Sequence, residues 1–290
     1  MRVAYLGPAG TFSEEAVEAS GLGGREPEMV PCDTIPEAIE AVGSGRAERA
    51  LVPLENSIEG SVRATMDSLL DQVELVEITA EFRHPIRSAL IARSEMPLSE
   101  ISRVLSHPQP LAQCSRFLRT EMPGAELLVA GSTSSAVREV SESDGQEAAL
   151  GPATAAGIYG CVVLREGIED ESGNETRFIW IAPRGNDEPV EGAPADGAGW
   201  KTTLVFSELG ADHPGALVDA LVEFSSRGIN LVRIESRPWK KQLGRYMFYV
   251  DIEGREDDRL VAEALDGLRS KAEMVKVLGT YPSWPSSAGS

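Results

Sequence analysis

Four consecutive residues, Asn174, Glu175, Thr176 and Arg177, place an amide, a carboxylate, a hydroxyl and a guanidinium directly before the run Phe178-Ile179-Trp180-Ile181. That run is apolar and rich in β-formers, and it reads as a buried strand. Polar groups at the lip of such a strand are held by the core beneath them. Five further segments set small polar groups where a strand hands over to a helix. "GPAGTFS" carries Gly7, Gly10, Thr11 and Ser13, "LVPLENS" carries Glu55, Asn56 and Ser57, and "LSHPQPLAQC" carries His107, Gln109 and Gln113. "AGSTSSA" carries Ser132, Thr133 and Ser134, and "GPATAAG" adds Thr154 in a fifth such turn. A glycine turn opening a helix presents free N–H groups and a partial positive end, a seat for a carboxylate or phosphate. Each segment alone reads equally as a turn or a helix cap. Together they point to a converging anion pocket.

Other chemistries find no pattern. "GPAGTFS" is neither GxGxxG nor GxxxxGK[ST], so it carries no nucleotide signature. There is no GxSxG elbow. His84, His107 and His213, with Cys32, Cys114 and Cys161, form no metal-ligand spacing, and no metal site is expected.

Those residues need elements to carry them. In residues 1–183 strand-like stretches ("RVAYLG", "RALVPLEN", "ELVEITAEF", "SALIAR") alternate with helix-like ones ("SEEAVEAS", "IPEAIEAVGSG", "SVRATMDSLLD"), predicting βαβ units around a mainly parallel sheet. Such sheets bind ligands at their strand ends. Residues 184–199, "RGNDEPVEGAPADGAG", have linker composition. Residues 200–282 follow the order βαββαβ, a ferredoxin-like unit with an edge suited to pairing, and 283–290 form a loose tail. The 290 residues carry a net charge of −19, which argues against nucleic acid or an anionic membrane as partner. No apolar run is long enough to span a bilayer, the first residues lack a signal-peptide pattern, and the cysteines are odd in number and scattered; a reduced, cytoplasmic protein is expected.

"GPAGTFSEEA", "PLENSIEGSV", "SHPQPLAQC" and "GNETRF", in this order and followed by "PGALVDAL" and "IESRPWK", resemble the prephenate dehydratase family from Val3 to about Pro282. The resemblance implies an α/β fold: a two-lobed catalytic domain of the type 2 periplasmic-binding-protein kind, with lobes of about 1–79 plus 172–183, and 80–171. A C-terminal ACT domain follows. It implies decarboxylative dehydration of prephenate to phenylpyruvate, water and CO₂ in L-phenylalanine biosynthesis, with no cofactor. Its catalytic assignment carries to Thr176, as a hydrogen-bond donor to the departing hydroxyl; by its own chemistry Arg177 is expected to bind a substrate carboxylate bidentately, and Glu55 and His107 are the candidate helpers in catalysis. Thr11, Ser13, Asn56, Ser57, Gln109, Ser132, Thr133, Asn174 and Phe178 would line the substrate. Gly215, Ala216, Leu217, Asn230, Leu231, Glu235, Ser236, Arg237 and Pro238 would bind phenylalanine at a subunit interface, in a homodimer or dimer of dimers paired through ACT domains. The same features fit an arogenate dehydratase or a non-catalytic amino-acid sensor. A solute-binding protein is disfavoured by the appended module. Pro110 and Ser134 stand where the family more often has alanine.

Overall fold

The computed structural model describes residues 1–21, 27–143, 145–186, 199–207, 209, 214–239 and 245–283. Most of the 184–199 linker, the centre of the 239–245 connection and most of the 283–290 tail therefore lie outside the described residues. The chain begins with β1 (Arg2–Leu6), α1 (Phe12–Ala19), β2 (Glu28–Cys32), α2 (Ile35–Gly43), β3 (Arg49–Asn56), β4 (Gly60–Ser61), α3 (Arg63–Asp71) and β5 (Val76–Pro85). It continues through β6 (Ala89–Ala92), β7 (Arg103–Ser106), α4 (Pro108–Gln113), α5 (Ser115–Glu121), β8 (Glu126–Val129), α6 (Thr133–Glu142), β9 (Glu147–Gly151), α7 (Ala153–Tyr159) and β10 (Val162–Glu166). Then β11 (Glu175–Pro183) returns to the first sheet, giving the order β2-β1-β3-β11-β5, while the second sheet runs β10-β6-β9-β7-β8. These are the two lobes.

Both sheets are mixed, where a mainly parallel one was expected. β1 pairs in parallel with β2 and β3, but β11 lies antiparallel between β3 and β5. Helical crossovers enforce parallel pairing. β11 comes back from the other lobe and is free of that constraint.

The C-terminal unit is β12 (Trp200–Ser207), α8 (Ala216–Ser225), β13 (Leu231–Pro238), β14 (Tyr246–Glu253), α9 (Arg259–Arg269) and β15 (Met274–Pro282), an antiparallel sheet ordered β13-β14-β12-β15. One of its faces is covered by α8 and α9, through Leu204, Phe206, Val250 and Ile252 packed on Phe224, Leu265 and Leu268. The other face belongs to the first lobe's core: Val205, Tyr249, Leu278 and Tyr281 join Val52, Ile78, Ile179 and Ile181 in one buried cluster. The approach is close. A β-carbon at Gly279 would stand 2.2 Å from the Ile78 carbonyl oxygen, so β15 reaches β5 only because that residue is glycine.

β11 is thus buried on both faces. Phe178 and Trp180 pack with Tyr5, Leu51, Phe82 and α1, whereas Ile179 and Ile181 pack toward the C-terminal sheet.

Candidate active site

Successive residues of a strand point to opposite faces. Thr176 pairs with Asn56 on β3 and His84 on β5, so these three share the face of Phe178. The Asn56 amide is fully committed. Its Oδ1 accepts from the N–H groups of Ile58 and Glu59, both at 3.0 Å, so Nδ2 must face the other way. From there its two hydrogens are shared among Thr176 Oγ1 at 2.9 Å, Asn174 Oδ1 at 2.7 Å and, at the longer distance of 3.2 Å, the Glu175 carbonyl. The consequence for Thr176 is directional. Its oxygen accepts from Asn56, an amide nitrogen that offers no lone pair in return, so the hydroxyl hydrogen remains available for another acceptor.

Neighbouring groups hold this cluster. Ser57 Oγ accepts from the Glu175 N–H at 3.0 Å, and the Ser57 N–H donates to the Glu175 carbonyl at 2.9 Å. Asn174 Nδ2 donates to Gln113 Oε1, on α4 of the second lobe, at 3.4 Å. Thr176 therefore stands where the two lobes meet. Buried His84 lies beside it, its Nε2 3.4 Å from Glu15 Oε1 on α1 and its ring edge-on to Phe178. Sequence reasoning passed over His84 and Glu15. The available signal was the pairing of "EFRHP" with the strand that bears Thr176, a long-range fact.

Three helix starts gather at the same junction. Thr11 caps α1, accepting from the Glu14 N–H at 3.4 Å and donating to the Leu6 carbonyl at 2.9 Å. Ser134 Oγ on α6 and Tyr159 OH on α7 both donate to the Ala9 carbonyl, the latter at 2.9 Å. Gly10, at φ +81°, lies so near that a β-carbon there would be 3.1 Å from Ser134 Oγ and 3.2 Å from Ala155 Cβ. Thr154 Oγ1 reaches Glu15 Oε2 at 3.5 Å. Thr11, Ser13 and Thr133 are buried, and Ser132 forms a capping box with Ser135. The expected anion seat at α1 is partly filled from within, since Glu14 takes the Gly10 N–H and the Tyr5 hydroxyl. With its carboxylate partner and burial, Tyr5 is pushed up from the ordinary tyrosine value, burial acting most strongly.

His107 is exposed and caps α4, its Nδ1 accepting from the Gln109 N–H at 3.4 Å. It lies at the start of the helix whose end reaches Asn174. Glu55 and Arg177 are the two expected catalytic residues that the structure does not bring to the Thr176 face. They are paired with each other across β3 and β11, and strand alternation turns both toward the C-terminal sheet. The Arg177 guanidinium is engaged there by protein groups: Glu81 Oε2 at 2.7 Å, Asp251 Oδ2 at 2.6 Å and Tyr281 OH at 2.8 Å. It is not available as the bidentate substrate ligand that was expected. Burial lowers the Arg177 pKa, but Tyr281, Asp251 and Glu81 outweigh burial and hold it well above the ordinary arginine value.

The expected effector residues divide by the same alternation. Arg237 faces the first lobe, 3.2 Å from Asp67, and Glu235 lies on the same side, 2.6 Å from its own strand's Arg233, which reaches Ser61 of that lobe. Ser236 and Pro238 are exposed on the other face. Leu231 is half-buried beside the domain's own core, and the exposed Asn230 accepts from the Glu253 N–H at 3.0 Å. Gly215, at φ +97°, is the cap of α8, and Ala216 and Leu217 form its first turn. Among the described residues no cluster of three or more His, Cys, Asp or Glu could hold a metal ion, and no helix is long and apolar enough to cross a membrane.

Comparison with known proteins bears on this arrangement. Residues 3–186 match the family model for prephenate dehydratase, and residues 204–270 match that for the ACT domain. The chain is 38% identical to the prephenate dehydratase of Mycobacterium marinum, over 99% of this chain and 90% of that one. Among solved structures it is similar to the prephenate dehydratase of Arthrobacter aurescens in complex with L-Phe, with TM-score 0.83, 36% identity, 97% of this chain and 90% of that chain. It is also similar to GqqA, described as a novel type of quorum quenching acylase, with TM-score 0.85, 30% identity, 98% of this chain and 99% of that chain.

Proposed function

Because the chain belongs to the prephenate dehydratase family and carries an ACT domain, we propose that it converts prephenate to phenylpyruvate, water and CO₂, under control of L-phenylalanine. The observation that carries this reading is the direction of the Thr176 hydroxyl. Asn56 donates to its oxygen at 2.9 Å, which leaves its hydrogen for the oxygen that departs from the substrate.

The chemistry asks little of the protein beyond orientation. The ring carboxylate leaves as CO₂ and its bonding electrons enter the ring. The ring C–O bond breaks, aromaticity is gained, and the departing hydroxide takes a proton to become water. A threonine hydroxyl is far too weak an acid to lose its proton outright at neutral pH, so Thr176 stabilises the leaving oxygen by hydrogen bonding while water or a neighbouring group supplies the proton. His84, paired across the strands with Thr176 and with its Nε2 3.4 Å from Glu15, is an imidazole on the same face that can serve that task, and His107 at the start of α4 is a second. The helix starts of α6 and α7 are suited to the substrate carboxylates, with Thr11, Ser13, Ser57, Gln109, Ser132, Thr133 and Asn174 around them.

The regulatory half of the reading rests on the ACT domain. Phenylalanine is the proposed effector, bound by Gly215, Ala216, Leu217, Asn230, Leu231, Ser236 and Pro238 with Glu235 and Arg237 behind them. A homodimer paired along β13 is proposed from the apolar side chains left uncovered there and on α8: Val218, Val222, Val232 and Ile234, all more than 40% exposed. A cytoplasmic location belongs to the same reading.

The deciding measurement is phenylpyruvate formation from prephenate by the purified protein, with and without L-phenylalanine, beside a parallel reaction with arogenate. Prephenate turnover inhibited by phenylalanine is expected. Turnover of arogenate alone would change the substrate and keep the mechanism. Thr176→Ala is expected to lower turnover by about 10²–10⁴-fold with the fold retained; near-normal turnover would remove Thr176 from the chemistry.

A further inference from the structure

We infer that Arg177 is a positioning residue through which the ACT domain fixes the catalytic end of β11, and that Asp251 and Tyr281 of the ACT domain are therefore part of the machinery that sets Thr176. This rests on the functional reading above for its catalytic consequence, but not for its structural content. Arg177 is bonded in sequence to Thr176, and its three guanidinium nitrogens each meet a different partner. Nε faces Glu81 Oε2 at 2.7 Å, one terminal nitrogen faces Asp251 Oδ2 at 2.6 Å, and the other donates to Tyr281 OH at 2.8 Å. Three partners around a planar group leave it no rotation.

The ACT side is as firmly determined. Thr203 donates to Asp251 Oδ1 at 2.8 Å, so its oxygen is the acceptor for the Tyr281 hydroxyl at 2.6 Å. Arg177, Asp251, Thr203 and Tyr281 thus form a closed ring of four hydrogen bonds, each with its direction assigned. Lys201 balances the second carboxylate, its Nζ 2.7 Å from Glu81 Oε1. Glu81, Thr203, Asp251 and Tyr281 are wholly buried. Buried ion pairs of this kind give little net stability, since desolvation offsets attraction. What they do give is a single geometry.

The ring also connects to the strand expected to sense the effector. β13 pairs with β14, which carries Asp251, opposite Arg233. Arg233 in turn lies 3.7 Å from Glu55 on β3 and 2.6 Å from Glu235. A displacement of β13 and β14 relative to the catalytic sheet must strain or break contacts one residue from Thr176.

The test compares Asp251→Asn, Tyr281→Phe and, as a control at an exposed interdomain pair, Lys276→Ala, all in the full chain. Hydrogen–deuterium exchange of the segment 174–178 is one readout, and kcat and KM for prephenate with the degree of phenylalanine inhibition are the other. Expected for the two ring variants is exchange at 174–178 faster by about ten-fold than in the wild type, kcat lower by about 10–100-fold, KM little changed and inhibition weakened while phenylalanine still binds by calorimetry. Lys276→Ala should match the wild type. Should Asp251→Asn fail to fold, Tyr281→Phe, which keeps the ring's volume, carries the test. Unchanged exchange at 174–178 overturns the inference, and so does a uniform rise across the chain, which would mark general loosening. A wild-type protein that fails to turn over prephenate would instead sink the functional reading, and the exchange readout would still decide this one.

Discussion

At the scale of single residues, the site turns on which atom donates to which. Asn56 has both amide ends assigned, and this alone orients the Thr176 hydroxyl. Asn56→Asp tests the point. A carboxylate there can only accept, so Thr176 would turn its hydrogen toward residue 56 and away from the substrate. Turnover is expected to fall about 10²-fold or more while the fold stays intact by circular dichroism; full activity would show that the direction of the hydroxyl is irrelevant. The types and spacing of Asn56, Asn174 and Thr176 were legible in the sequence as polar groups at element ends. The donor assignments were not, because they depend on two backbone N–H groups, of Ile58 and Glu59, presented by a turn.

Among the elements, β11 decides most. The sequence marks it plainly as a strand, but its apolar run is continuous, as expected for a strand buried on both faces. Alternation therefore could not say whether Thr176 or Arg177 fronts the cleft, and both were expected there. The packing answers: Phe178 joins the cluster on the Thr176 side, and Arg177 faces Asp251. The antiparallel return of β11 was equally hidden, since strand order along the chain carries no direction within a sheet. β15 makes a sharper demand through Gly279. Gly279→Ala would drive a methyl against the Ile78 backbone, which has no flexible end to yield. A loss of about 1–3 kcal/mol in urea unfolding is expected, with phenylalanine inhibition weakened; wild-type stability would mean that β15 and β5 separate without cost.

For the whole molecule, the ferredoxin-like order of the C-terminal unit was readable from element spacing, but its docking was not, because the contact pairs residues as distant as Arg177 and Tyr281. Asp251 makes the docking sensitive to acid. Burial alone would raise its carboxyl, yet the guanidiniums of Arg177 and Arg233 hold it below the ordinary value of 3.8. A carboxyl lowered on folding stabilises fully above that ordinary value, and the contribution fades as pH falls through the lowered one. Thermal melts of wild type and Asp251→Asn should therefore differ most at neutral pH, with the gap beginning to close only as pH falls below the ordinary value of 3.8 and vanishing below the lowered one; a constant gap would mean Asp251 is uncharged in the fold. The shared core of Val205, Tyr249, Leu278 and Tyr281 with Ile179 and Ile181 has a further consequence, for recombination. A C-terminal domain that lends side chains to its neighbour's interior is not an exchangeable cassette. A chimera that grafts a foreign ACT domain after residue 199 should fold and respond only if the graft brings an aspartate, a tyrosine and a glycine to positions 251, 281 and 279, so divergence on one side of this seam constrains divergence on the other.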